Sequence, residues 1–317
     1  MEQSPFRSLP TRVAVAVCAI PLIVWAAMVG GYFFFGLVAL ISGLALYEFY
    51  VLAEKKGAYP LKTLGIVAGF VVNGAFLYER LQVELYTFFE RQGIRLSMFS
   101  QLQFLLVVLL CFLLLVLLVE LFRSKGSPTM NAATTVFGVV MISLFFGTLI
   151  STRELFPYGF PVPKFFQTGF ADEVQQATIS KWGGYTIVSV LASIWICDTA
   201  AYFGGVTLGR HRLFERVSPK KSWEGAIFGF VAAVLAMLAA RALVLDYLRV
   251  QDALVLGLIV GIFGQIGDLV ESRFKRDAGV KDSSAIITGH GGVYDRFDSL
   301  VFVAPFVYLY IDFVVLS

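Results

Sequence analysis

An all-α, polytopic integral membrane protein is what this sequence predicts, on three observations. Of its 317 residues, 58% are hydrophobic and only 15% are charged, whereas an ordinary soluble domain is about 25% charged. The mean hydropathy of +0.80 implies more apolar surface than a soluble fold can turn inward, because an exterior facing water needs charge. The apolar residues also come in runs of about 20, the length that crosses the hydrocarbon core as a helix. With a net charge of +3, no broad basic surface for nucleic acid is expected.

About nine spans are expected, at roughly residues 12–29, 31–52, 62–79, 99–122, 132–151, 185–205, 224–245, 252–268 and 299–316. Apolar sequence runs almost unbroken from Val13 to Leu52, too long for the apolar core of a signal peptide, so the first segment reads as an uncleaved helix. Gly30-Gly31 then predicts a tight turn between the first two helices. The third and eighth segments are short and glycine-rich, which leaves eight as an alternative count. Residues 152–184, with Pro157, Pro161 and Pro163, read as a long outer loop that is interfacial or re-entrant. Cys18, Cys111 and Cys197 lie singly in apolar runs, without zinc or redox spacing, and are expected as small buried hydrophobes.

The chain divides into residues 1–184, about five membrane helices and the outer loop, and 185–317, a membrane region with polar loops at 206–223 and 269–298. If the N-terminus is cytoplasmic, most Lys and Arg residues fall on the inner side, among them Lys55, Lys56, Arg123, Lys125, Lys220 and Lys221. That is the positive-inside bias, and it puts both polar loops in the cytoplasm. The short N-terminus without a targeting extension favours a bacterial plasma (inner) membrane.

Chemistry-bearing residues concentrate in the C-terminal third. Asp268, Glu271, Ser272 and Lys275 recur at helical spacing, so a helix continuing past the eighth span presents them on one face. Asp295 and Asp298 stand three apart at the mouth of the last span. With Asp268 they make three carboxylates at one membrane edge, a repulsive cluster that a hard divalent cation such as Mg²⁺ would relieve. His290, between glycines, sits where backbone amides can approach a phosphate. Asp198 lies inside a predicted span and reads equally as a functional group or a member of a structural pair. Lys220-Lys221, beside Ser218-Pro219, suit either phosphate binding or anchoring by the positive-inside rule. Glu48 reads as interfacial, with a functional role as the alternative, and His211 as a solvated loop residue. Neither a P-loop nor a dinucleotide-binding glycine pattern is present.

Taken in order, Ser272-x-x-Lys275-Arg276, Lys281-Asp282 and His290-Gly291-Gly292-x-x-Asp295-Arg296-x-Asp298 closely resemble the signature of the phosphatidate cytidylyltransferase (CDP-diacylglycerol synthase) family. Asp198-Thr199-Ala200-Ala201-Tyr202 and Ser218-Pro219-Lys220-Lys221-x-Trp223-Glu224-Gly225 are similar to that family's upstream stretches. The resemblance covers roughly residues 190–300, with Thr288 standing where the family often has proline. It implies an integral membrane enzyme, a homodimer, that joins CTP and phosphatidic acid into CDP-diacylglycerol and pyrophosphate with Mg²⁺ and, as an option, a second cation. Carried over residue by residue, Asp268, Asp295 and Asp298 are metal ligands, acting with Ser272 and Lys275 as the catalytic set. Lys220, Lys221, Arg276, Lys281, His290, Arg296, Ser218 and Asp198 form the substrate-binding set. A CTP-dependent polyprenol- or phytol-type lipid kinase and, more remotely, a transporter are the competing readings. The kinase would need a base to activate an alcohol, and a transporter would carry its charges near the midplane.

Overall fold

The computed structural model describes residues 9–94, 97–159, 162–165, 173–284 and 291–317. Its helices are α1 (Leu9–Val29), α2 (Gly31–Glu54), α3 (Lys62–Ala75), α4 (Tyr78–Glu90), α5 (Gln101–Phe122), α6 (Pro128–Gly138), α7 (Phe145–Gly159), α8 (Val162–Phe165), α9 (Glu173–Leu208), α10 (Trp223–Leu243), α11 (Val250–Asp277) and α12 (Tyr294–Tyr310). A short antiparallel hairpin, β1 (Arg212–Phe214) and β2 (Ser218–Ser222), lies between α9 and α10. Among the described residues, seven helices are long and apolar enough to cross a membrane. Taking α3 and α4, bent by 66° at their junction, as one span makes eight, and Ala16–Val29 is a shorter apolar helix. Every segment expected to span is thus helical, but the full count of nine is not established.

Helix ends differ from the expected ones in two informative places. α11 runs on to Asp277 and α12 begins at Tyr294, so the expected loop 269–298 narrows to residues 278–293. Long charged side chains reach the polar edge from a continuing helix. At the opposite end, α7 extends to Gly159 and α9 starts at Glu173, so most of the described part of the expected outer loop is helix.

α1 and α2 meet at Gly30 and Gly31, whose φ values of 70° and 55° favour glycine. Between α6 and α7 the chain makes a π-helical turn, Val139–Leu144. Such a turn frees carbonyls from the helical ladder, and the Asn73 amide from α3 donates to Ser143 O at 2.5 Å. α5 buries only Phe112, Val116 and Glu120, and leaves Leu106, Leu110, Leu114 and Leu118 exposed, as a lipid-facing helix should. Cys18 and Cys111 are likewise exposed on the bundle's apolar exterior, and only Cys197 is buried as expected.

α9, α10, α11 and α12 pack in sequence through small residues. A Cβ at Gly225 would strike Ala201 O of α9, one at Gly257 would strike Val234 of α10, and one at Gly267 would strike Asp298 O of α12. Small residues let membrane helices approach closely where no hydrophobic force holds them together. The approach at Gly267 sets Asp268 of α11 beside the first turn of α12.

Candidate active site at the basic end of the bundle

One end of the bundle collects the end of α2, α5 and α11 and the start of α3, α6, α10 and α12. Lys62 pairs with Glu54 at 2.7 Å, Lys56 with Asp277 at 3.7 Å, and Arg123 with Glu120 at 2.8 Å. Into this end project most of the residues singled out by sequence.

Lys275 is the centre of one cluster. Its ammonium lies 2.6 Å from Glu271 Oε2 and 2.9 Å from Asp295 Oδ1. The Glu271 and Asp295 side chains are 0% and 7% exposed, and a carboxylate so buried needs a cation or donors to remain charged. Asp295 also accepts from the backbone N–H of Ser283 at 3.1 Å and of Gly292 at 2.8 Å, so it ties both sides of the loop to α12.

A second cluster joins two sequence segments. Lys221, from the end of β2, donates to Asp268 Oδ2, and Ser272 donates to Asp268 Oδ1 at 3.3 Å. The expected face of α11 splits its work: Asp268 accepts from Lys221 and from Ser272, while Lys275, paired with Glu271, reaches Asp295 of α12. Asp298 accepts from the N–H of Ser299 at 2.6 Å and feels the charges of Asp268 and Asp198. Asp198, on α9, in turn feels Asp268 and Lys221.

Of the three carboxylates expected to hold a metal, Asp268, Asp295 and Asp298, Asp295 accepts from Lys275 and from loop amides. Among the described residues, no three acidic, histidine or cysteine side chains stand close enough to hold a metal together. Mg²⁺ does not require three, since it takes one or two carboxylates and completes its shell with water and phosphate oxygens. Asp268 and Asp298, hard oxygen donors on helices that approach closely at Gly267, fit that mode.

The remaining candidates spread outward. Ser218 is half-buried on β2, and Lys220, Arg276, Lys281 and Arg296 are exposed around the clusters. Arg276 donates to Val280 O at 3.1 Å, closing the end of α11. His290 lies outside the described residues. His211 does not stand alone in its loop: its Nδ1 is 2.6 Å from Glu224 Oε1.

Sequence reasoning undervalued Glu48. It is fully buried and accepts four hydrogen bonds, from Ser283 Oγ at 2.9 Å, Ser284 Oγ at 2.5 Å, Val293 N at 2.9 Å and Tyr294 N at 2.8 Å. The available signal was a lone carboxylate within an apolar run. Its partners lie more than 230 positions away, beyond the reach of any local pattern.

Fold and site together define a class: integral membrane enzymes that handle phosphorylated substrates at the edge of the bilayer. The model of the cytidylyltransferase family matches residues 10–314, and the chain belongs to that family. It is 33% identical over 312 residues to the phosphatidate cytidylyltransferase of Synechocystis sp., covering 96% of this chain and 97% of that protein. Phosphatidate cytidylyltransferases of Staphylococcus haemolyticus and Staphylococcus aureus are 43% and 45% identical over 123 residues, 39% of this chain and 47% of each of those proteins.

Proposed function

We propose that the protein transfers the cytidylyl group of CTP to phosphatidic acid, giving CDP-diacylglycerol and pyrophosphate. The site would work at the cytoplasmic face of a bacterial plasma membrane. The observation that carries this reading is the junction of two separated motif segments: Lys221 of the hairpin reaches Asp268 on α11, beside Asp298 of α12. The full-length match to the Synechocystis enzyme supports the choice of substrates.

The chemistry suits these residues. A phosphate monoester is largely dianionic near neutral pH, its second pKa being about 6, so a phosphatidate oxygen can attack the α-phosphorus of CTP with little help from a base. What the reaction requires is alignment of two anionic groups and stabilisation of the charge on departing pyrophosphate. Lys221, Lys275, Arg276, Lys281 and Arg296 supply positive charge around the site. Ion pairing with Glu271 and Asp295 fixes the ammonium of Lys275, which therefore needs no reorganisation when substrate binds. Asp268 and Asp298 would hold Mg²⁺, which when bound supplies Lewis-acid neutralisation of phosphate oxygens. The position at the membrane edge lets a lipid headgroup and a soluble nucleotide meet.

The test is incubation of purified protein with α-³²P-CTP, phosphatidic acid and Mg²⁺. Label is expected in a CDP-lipid, with pyrophosphate released, and is expected to vanish with EDTA. Release of CDP, with label from γ-³²P-CTP entering a lipid alcohol, would instead establish the kinase chemistry.

A further inference from the structure

We infer that Glu48, on α2 in the N-terminal half, is a positioning residue for the active site: it clamps the two sides of the loop between α11 and α12 and thereby sets the first turn of α12. The inference rests on the proposed cytidylyl transfer. Two of its four bonds come from Ser283 and Ser284 on the near side of the loop, and two from the N–H groups of Val293 and Tyr294 on the far side. Val293 is the N-cap of α12 and offers no side-chain cap of its own. The first N–H groups of a helix have no partner within it, and a carboxylate there is favoured by the helix dipole as well as by the hydrogen bonds. Glu48 fills that role from 245 positions away.

The same carboxylate accounts for a glycine of the motif. A Cβ at Gly292 would overlap both Glu48 Oε2 and Ser283 Oγ, and one at Gly291, where φ is 82°, would press on Asp295. The Gly-Gly pair therefore makes room for two carboxylates of this protein, Glu48 and Asp295. Asp295 binds Ser283 N and Gly292 N one layer from Glu48, so the loop is held twice. Asp298 follows one turn further along the helix that Glu48 caps. The C-terminal region, 185–317, is accordingly not a self-sufficient catalytic unit, because its loop takes its shape from α2.

Glu48→Gln keeps the size of the side chain and loses the charge and part of the accepting capacity. At saturating CTP and phosphatidate, kcat is expected to fall about 10²-fold, the scale of a 1 Å misplacement, while both KM values move less than about threefold. Hydrogen exchange of the full-length protein without substrates is expected to accelerate at Val293 and Tyr294 and to stay unchanged in α5 and α10. Gly292→Ala, which leaves Glu48 in place but intrudes on it, is expected to reproduce both effects. The Ser283→Ala/Ser284→Ala pair should weaken kcat less, and non-additively with Glu48→Gln. Wild-type kcat in Glu48→Gln, or faster exchange spread over the whole bundle, would overturn the inference, the latter by making Glu48 a general staple of the fold. Exchange accelerated only at Val293 and Tyr294 in Glu48→Gln, alongside a wild type that transfers no cytidylyl group, would keep the clamp and overturn the reaction it serves.

Discussion

Arg153 and Lys275 are both cations sunk into an apolar bundle, with side chains 2% and 12% exposed, yet their surroundings differ in kind. Arg153, at the end away from the candidate site, donates to the carbonyls of Ala27 at 2.6 Å and Met28 at 2.9 Å, where α1 ends. Its neighbour Glu154 accepts from the first N–H of α2, that of Gly31, at 2.7 Å, and pairs with Arg80 at 3.3 Å. Charge there is spent on helix ends, which in a membrane must find internal partners. Lys275 and Lys221 instead meet carboxylates: Glu271 and Asp295 pair with Lys275, and Asp268 pairs with Lys221. The first cluster ties helix ends of α1 and α2 to α7, whereas the second gathers charged side chains from β2, α11 and α12 at the proposed site.

The largest effect should come from removing the carboxylates proposed to hold the metal. Asp298→Ala or Asp268→Ala is expected to lower CDP-lipid formation by at least roughly 10³-fold, equivalent to about 4 kcal/mol of transition-state stabilisation. Label transfer from α-³²P-CTP measures it, with thermal unfolding in detergent to establish that the variants are folded. A variant retaining wild-type Mg²⁺-dependent turnover would put the metal elsewhere. Lys221→Ala is expected to cost less, about 10²-fold in turnover, because one of several cations is lost. Lys221→Arg should recover part of it, since the charge returns with a different geometry.

Arg153→Ala probes the other end. It removes two charge-assisted hydrogen bonds to buried carbonyls, each contributing about 1.5–3 kcal/mol. Stability is expected to drop by roughly 3 kcal/mol, read as a lowered unfolding temperature and reduced yield. Turnover per folded molecule should stay at the wild-type value. A fall in kcat without a fall in stability would erase the distinction between the ends.

How much of this was legible in the sequence follows the same division. Membrane helices were visible because a span is a local run, and the face of α11 because Asp268, Glu271, Ser272 and Lys275 repeat at helical spacing. Which oxygen each cation takes was not legible. Asp295 and Asp298 look alike at three-residue spacing, yet loop amides bind one and its own helix start receives the other. Asp198 joins Asp268 through the packing of α9, α10 and α11, and Glu48 reaches the loop across the whole chain. Such long-range choices depend on where small residues let helices approach, as at Gly267. The helical extension of α7 beyond residue 152 was equally hidden: the polar residues Arg153 and Glu154 read as the start of a loop until their partners on α1 and α2 are known.

The smallest expected effect concerns Arg80, which forms the rim of the structural cluster. Its side chain is 28% exposed and shared between Glu84 at 3.1 Å and Glu154 at 3.3 Å, with the Tyr32 ring 5.3 Å away. Partly solvated pairs of this kind contribute at most about 1 kcal/mol. Glu154 also keeps its bond from Gly31 when Arg80 is gone. Arg80→Ala is therefore expected to lower stability by no more than about 1 kcal/mol, and to leave kcat and both KM values unchanged. The measurement is most informative beside Arg153→Ala: two arginines of one cluster, separated by burial, should differ about threefold in their effect on stability and agree in sparing catalysis. Equal losses would mean that the cluster acts as one network in which Glu154, and not the burial of Arg153, carries the stability of the far end.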